Sequence, residues 1–393
     1  MTYLDHAATT PVRRSAREAW LEACAEVGNP SSTHAAGRRA RALLEDARER
    51  IAAALGAHPT EVTFTSGATE ADNLALKGLM WAAGERGTET GADARRTRAV
   101  TAATEHHAGL DPLRWLEARG EAQVVELPVS PEGRVETAAL AAELAAHADA
   151  TALVSLMWAN NEIGVVQDIA ALAAVAAEHG VPMHTDAVQA VAYLPVDFAA
   201  SGCATMAVTA HKLGGPVGIG ALLARRGVRL EPLLHGGGQQ GARSGTLDAA
   251  GAQAFAVALE EAVAERSTEA RRLRALQDHL LAGLIALPGV RLTGPQPGES
   301  RLPGLVSVVV DGATSEGLLT ALDMAGVCAS GGSACSAGVL APSHVLTGIG
   351  LDERTATGAL RLSMGHTSTR EDVDAALAVL PGVIARSRAA AAV

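Results

Sequence analysis

Six short apolar runs, at residues 62–64, 99–102, 151–157, 181–184, 204–208 and 219–223, are separated by segments with helical spacing. This rhythm constrains the chain more than any other feature. Each run is too short for a buried helix, and most end in polar or glycine-containing turns, so the pattern predicts an α/β domain with a mainly parallel sheet. Leu43, Leu44, Ala47, Ile51 and Leu55 within residues 38–55 read as a helix packed on one face. Residues 84–98 and 128–134 read as surface loops. From about Glu265, Leu273, Leu276, Leu280, Leu284 and Leu287 run in register and lead into a different order of strands and helices, where a second domain is expected. A capping-box-like start at Thr369–Asp372 opens a last helix carrying Val373, Leu377, Leu380 and Ile384 on one face.

A length of 393 residues agrees with two domains. Aromatic residues make up only 2% of the chain, so Ala, Leu and Val must fill the core. The formal charge of −11 argues against a nucleic-acid-binding surface as the main function and favours small molecules and proteins as partners. The first residues have no basic region followed by an apolar stretch, and no window approaches about eighteen uninterrupted apolar residues, so a cytoplasmic protein without a membrane span is expected. The four cysteines, at 24, 203, 328 and 335, form neither a disulfide framework nor a paired zinc pattern. Cys24, Cys203 and Cys328 read as small buried hydrophobes.

In open α/β sheets ligands gather at the carboxyl ends of strands. Ser66-Gly67-Ala68-Thr69-Glu70 follows the first apolar run as a small-residue turn that opens a helix, the form of a phosphate cradle. His106 stands after the second run, where a flat ring can cover a ligand, although a histidine pair at this point also suits capping. Asp186, with Gln189 three residues on, ends the fourth run; a buried carboxylate there needs a cationic or hydrogen-bonding partner. Lys212 ends the fifth, ahead of glycines at 214, 215, 218 and 220. A lysine so enclosed suits Schiff-base chemistry with an aldehyde cofactor, and the glycines come in the wrong order for a dinucleotide fingerprint. Small residues surround Cys335 within Ala329–Gly338, which predicts a mobile loop carrying a nucleophile.

Taken in order, Leu4–Pro11, Gly28–Ser32, Ser66–Glu70, Thr104–His106, Asn160–Gly164, His184–Gln189, His211-Lys212, His235–Gly238, Arg243–Thr246, Ser333–Cys335 and Arg361 resemble the NifS/IscS branch of the class V aminotransferases, the cysteine desulfurases, over nearly the whole chain. The resemblance implies a fold-type I architecture dependent on pyridoxal 5'-phosphate: a large domain at 15–264 with a mainly parallel sheet flanked by helices, and a smaller α+β domain formed by 1–14 and 265–393. It implies that Lys212 holds the cofactor covalently, Asp186 meets the pyridine nitrogen, Gln189 the phenolic oxygen, and His106 stacks on the ring. Ala68, Thr69, Thr209 and His211 would contact the phosphate, joined by Thr246 from a second subunit, so a homodimer is expected. Asn161 and Arg361 would hold L-cysteine, and Cys335 would take its sulfur as a persulfide, leaving L-alanine.

Sulfur-acceptor proteins are the expected partners, an iron–sulfur scaffold or a tRNA thiolation enzyme. Thr209, Ala210, Gly214, Gly215 and His366 depart from the commonest family pattern without removing a catalytic group. The rival readings are a selenocysteine lyase or another enzyme on this scaffold, and a sulfur-relay protein in which the cofactor only holds the shape. A metal centre from Cys328, Cys335 and His344 lacks tetrahedral ligand spacing, so no resident metal is expected; Cys335 could serve a cluster transiently on a partner.

Overall fold

The computed structural model describes residues 1–89, 96–332 and 342–391. Twelve strands lie among them: β1 (Thr2–Tyr3), β2 (Val62–Thr65), β3 (Arg98–Ala102), β4 (Gln123–Leu127), β5 (Thr151–Ser155), β6 (Met183–Asp186), β7 (Thr205–Thr209), β8 (Gly220–Ala224), β9 (Val290–Leu292), β10 (Leu305–Val310), β11 (Val327–Cys328) and β12 (Ala359–Ser363).

Seven of these form the main sheet in the order β2-β8-β7-β6-β5-β3-β4. It is parallel except at β8, which runs antiparallel to both β2 and β7. Every residue of β5 and β7 is buried, as expected of strands covered by helices on both faces. A three-stranded antiparallel sheet, β12-β10-β9, and the short parallel pair β1-β11 form the second body of structure. The α/β architecture and the second, smaller sheet therefore agree with the sequence reading. The large sheet and the small sheet have separate apolar cores, one around Phe64, Val154, Met206 and Phe255, the other around Leu4, Val308, Leu362 and Leu380. The helix Ala249–Ile285 feeds both cores, opened by Asp248, whose side chain accepts from Gly251 N at 2.8 Å.

Two local readings are corrected, and one strand, β4, has no counterpart among the apolar runs. Residues 84–98 read as a surface loop, but the helix opened at Ala68 runs to Glu89. β4 carries no long apolar run, because as the sheet's edge strand it buries fully only Leu127. Cys24 is exposed at the end of the helix Arg14–Cys24, and Cys328 is only partly buried; Cys203 alone of the three is buried as expected. The capping box at Thr369 does form: Thr369 N donates to Asp372 Oδ2 at 2.9 Å, and Asp372 N donates to Thr369 Oγ1 at 3.2 Å.

Candidate active site

The carboxyl ends of the main sheet converge on one cavity of about 460 Å³. The turn at residues 66–69 stands at its wall, because Gly67 adopts φ +152°, a conformation open to glycine, before the helix Ala68–Glu89 begins. Gly220 on β8 makes room for it, since a Cβ there would lie 2.9 Å from Gly67. Asp186 and Gln189 enter from the end of β6. The Asp186 Oδ1 accepts from Val188 N at 2.8 Å, and burial, then the nearby Asp72, pushes its carboxyl up to about 7. Such a group is short of a cation.

Lys212 arrives on the turn after β7. Its Nζ donates to the carbonyls of Ala7 and Ala8 at 2.5 and 2.6 Å. Gln189 Nε2 donates to the same Ala7 carbonyl at 2.9 Å, so the segment after β1 ties the lysine and the glutamine together. His106 caps the helix His107–Ala118, its Nδ1 accepting from Ala108 N at 3.1 Å. Burial, and the charge of Lys212, lower its imidazole to about 4, so it is a neutral ring at physiological pH. His211 is lowered likewise to about 4, by burial first, and its Nδ1 lies 3.2 Å from Thr9 Oγ1. Thr209 is buried, with its hydroxyl donating to Ile219 O at 3.2 Å.

Arg361, on β12 of the small sheet, reaches the cavity with 1% of its surface exposed. Its Nη2 pairs with Asp5 Oδ1 at 2.9 Å, its Nη1 donates to Asn161 O at 2.9 Å, and its buried Nε has no partner among the described residues. An unpaired guanidinium N–H in a buried site suits a carboxylate ligand.

Ala68, Thr69, His106, Asn161, Asp186, Gln189, Thr209, His211, Lys212 and Arg361 thus all line the same cavity. Thr246 does not: it is exposed and lies outside this lining within one chain. Cys335 lies outside the described residues. The sequence reading assigned nothing to Asp5, Asp72 or Glu105. Glu105 is buried with both oxygens 2.9 Å from Met157 N, and burial raises its carboxyl well above the ordinary range. Asp5 and Glu105 lie in stretches that carry the family resemblance but have no local feature that assigns them a role, and Asp72 has no signal, since one polar residue in an apolar helix looks the same whether it faces a site or solvent. No group of metal-ligating side chains assembles among the described residues, and His344 Nε2 is occupied by Glu105 O at 2.8 Å.

The model of the class-V aminotransferases matches residues 2–376. The IscS-like cysteine desulfurase of Mycobacterium tuberculosis (strain H37Rv) is 50% identical over 393 residues, covering all of this chain and 98% of that protein. The chain belongs to the class-V aminotransferases, on their cysteine desulfurase branch. The cysteine desulfurase IscS of Methanosarcina thermophila is 40% identical over 98% of this chain and 92% of its own. Among solved structures, a NifS-like protein matches with a TM-score of 0.87 at 33% identity, covering 98% of this chain and 99% of that one. SspA in complex with cysteine matches with a TM-score of 0.78 at 32% identity, over 93% and 99%. Enzymes of this family work with pyridoxal phosphate. The chemistry of the lining fits that group: one cavity holds an acid short of a cation, a helix N-terminus, a lysine and a neutral imidazole.

Proposed function

We propose that this enzyme converts L-cysteine to L-alanine, with Lys212 carrying pyridoxal phosphate and Cys335 taking the sulfur as a persulfide. The observation that carries the reading is the convergence of Lys212, Asp186, Gln189, His106, the 66–69 turn and Arg361 on one cavity. The solved relative described as bound to cysteine supports the choice of substrate.

When bound, the cofactor supplies a sink for the electrons at the substrate's Cα. The protein's own groups do the rest. Asp186, as an anion, would hold the ring nitrogen, and Gln189 Nε2 would serve the phenolic oxygen. The N–H groups of Ala68 and Thr69, with the Thr69 hydroxyl and His211, would hold the phosphate, joined by the Thr209 hydroxyl once it turns away from Ile219 O. Arg361 takes the substrate carboxylate on its unpaired Nε side, while Asn161 braces the same end. Neutral His106 would cover the ring without adding a charge. Lys212 Nζ moves a proton at Cα, the task of a desolvated amine. Cys335 attacks as thiolate, reached from a reference pKa of ~8.5. A bond forms between its Sγ and the substrate sulfur as the substrate's carbon–sulfur bond breaks, and the products are alanine and the persulfide.

Thr246 completes the phosphate site from a second subunit in a homodimer. We assign the large domain to residues 15–264 and the small one to 1–14 and 265–393, with the boundary inside the continuous helix Ala249–Ile285. The persulfide is handed to an acceptor protein, an iron–sulfur scaffold or a tRNA thiolation enzyme. The work is assigned to the cytoplasm, where thiols stay reduced; no helix among the described residues is long and apolar enough to cross a membrane.

Purified protein should be yellow and yield alanine and sulfide from cysteine under reducing conditions. Lys212→Ala should lose the covalent cofactor band and slow turnover by about 10²–10⁴-fold, the range for removing a proton-transfer group. A lysine variant with the wild-type spectrum and turnover would refute the assignment.

A further inference from the structure

Beneath the cavity lies a buried polar chain that the reaction as described does not use. Side chains alternate along a strand, so His184 and Asp186 project from the same face of β6. The parallel register pairs His184 with Thr205 on β7, and His184 Nδ1 lies 2.9 Å from Thr205 Oγ1. The helix Ala68–Glu89 covers this part of the sheet, packing Ala71, Leu74 and Ala75 on Ala207 and Leu222. From that helix Asp72 brings its Oδ1 to 3.1 Å from His184 Nε2. Asp72, His184 and Thr205 are each at most 1% exposed.

Asp72 Oδ2 is buried, has no partner among the described residues, and belongs to a residue lining the same cavity as Asp186. A carboxylate with an unfilled oxygen is costly to bury, whereas a carboxylic acid needs only one acceptor for its proton. His184 Nε2 is such an acceptor, and the tautomer that accepts there donates from Nδ1 to Thr205. Asp186 on β6 and Glu105 after β3 are the acids near Asp72, Lys212 after β7 is the cation of the same cavity, and His106 is neutral; Glu70, two residues before Asp72 on the helix, pairs with Arg243 instead. Burial pushes Asp72 up to about 8 and His184 down to about 4.

We propose that Asp72 is a positioning residue for the cofactor: it stands as a neutral acid donating to His184 Nε2, and so leaves Asp186 as the anion beneath the ring nitrogen. The proposal rests on the reading of Asp186 given above. An ionised Asp72 would be a second anion beside Asp186 and would draw the proton onto it.

Infrared spectroscopy of the holoenzyme at neutral pH, with aspartate side-chain carboxyls labelled with carbon-13, tests this. Asp72 and Asp186 are the aspartates pushed upward among the described residues, and the label shifts their bands away from that of Glu105. The wild type should show the carbonyl band of a protonated aspartate. Asp72→Asn should lose that band and keep the cofactor's absorption maximum, because asparagine is neutral like the acid it replaces. Asp186→Asn should keep the band. Absence of the band from the wild type would overturn the proposal without any variant, and so would its survival in Asp72→Asn. A band lost only in Asp186→Asn would overturn it as well, by putting the proton on Asp186. Failure of the underlying cofactor reading has a separate signature, an Asp186→Asn protein that holds the cofactor as tightly as the wild type.

Discussion

In the proposed reaction, Arg361 is the residue whose surroundings bear most directly on substrate choice. Its guanidinium is pinned by Asp5 and by the Asn161 carbonyl, so the side that remains, with the unpaired Nε, is fixed in direction before any ligand arrives. A lysine at this position would keep the charge and lose the fork. Arg361→Lys should therefore raise KM for cysteine by about 10- to 100-fold, the equivalent of about 1.5–3 kcal/mol for a charged hydrogen bond, with a smaller change in kcat. Steady-state kinetics on the variant check it; an unchanged KM would remove Arg361 from the substrate's carboxylate. Family motifs made Arg361, Lys212 and Asp186 legible; Asp5 lies in one of those motifs without a readable role and Asp72 in none, because both matter only through partners 356 and 112 positions away. Pairings at that separation are decided by topology, and no local pattern encodes them.

Among the elements, the strand-to-helix turn after β2 depends on a close approach that only a glycine permits. Gly220 on β8 sits where a Cβ would come 2.6 Å from Val208 O and 2.9 Å from Gly67. Gly220→Ala should push the turn away from the strand at a cost of about 1–3 kcal/mol, the range for overpacking, and speed loss of the phosphate-bearing cofactor. Thermal melts and cofactor-release rates measure the two effects; a variant as stable as wild type would show that the turn has slack. The strands were legible as short apolar runs wherever helices cover both faces, as at β5 and β7. β4 was not, because an edge strand with one buried residue has almost no apolar signature. The helix Ala68–Glu89 outran its expected end because its last turns carry glycine and charge, a composition that reads as loop unless the preceding turns are already helical.

At the scale of the whole molecule, the buried site makes the cofactor-free protein sensitive to pH. Burial raises Asp72 to about 8 and Asp186 to about 7, so between their ordinary value of 3.8 and these values the folded state holds more protons than the unfolded chain. Stability from these acids is therefore full below 3.8 and is lost as pH rises to about 8. The histidines at 6, 106, 184 and 211 act oppositely: lowered from 6.5 to about 4, they add stability as pH rises to 6.5 and nothing further beyond it. Above pH 6.5 only the acids' slope remains of these two sets, so the Tm of cofactor-free protein should fall as pH is raised from 6.5 to about 8. Calorimetry across that range checks it, and a rising Tm would contradict the charge states assigned to the site. The proposed reaction requires this buried machinery to meet the thiol assigned to Cys335. The most direct test is mass spectrometry of the holoenzyme after one equivalent of cysteine without reductant, followed by digestion. The account predicts that the peptide containing Cys335 gains the mass of one sulfur atom while one alanine is released, and that Cys335→Ala releases no alanine. Alanine formed at the wild-type rate by that variant, or a sulfur adduct on another cysteine, would contradict it.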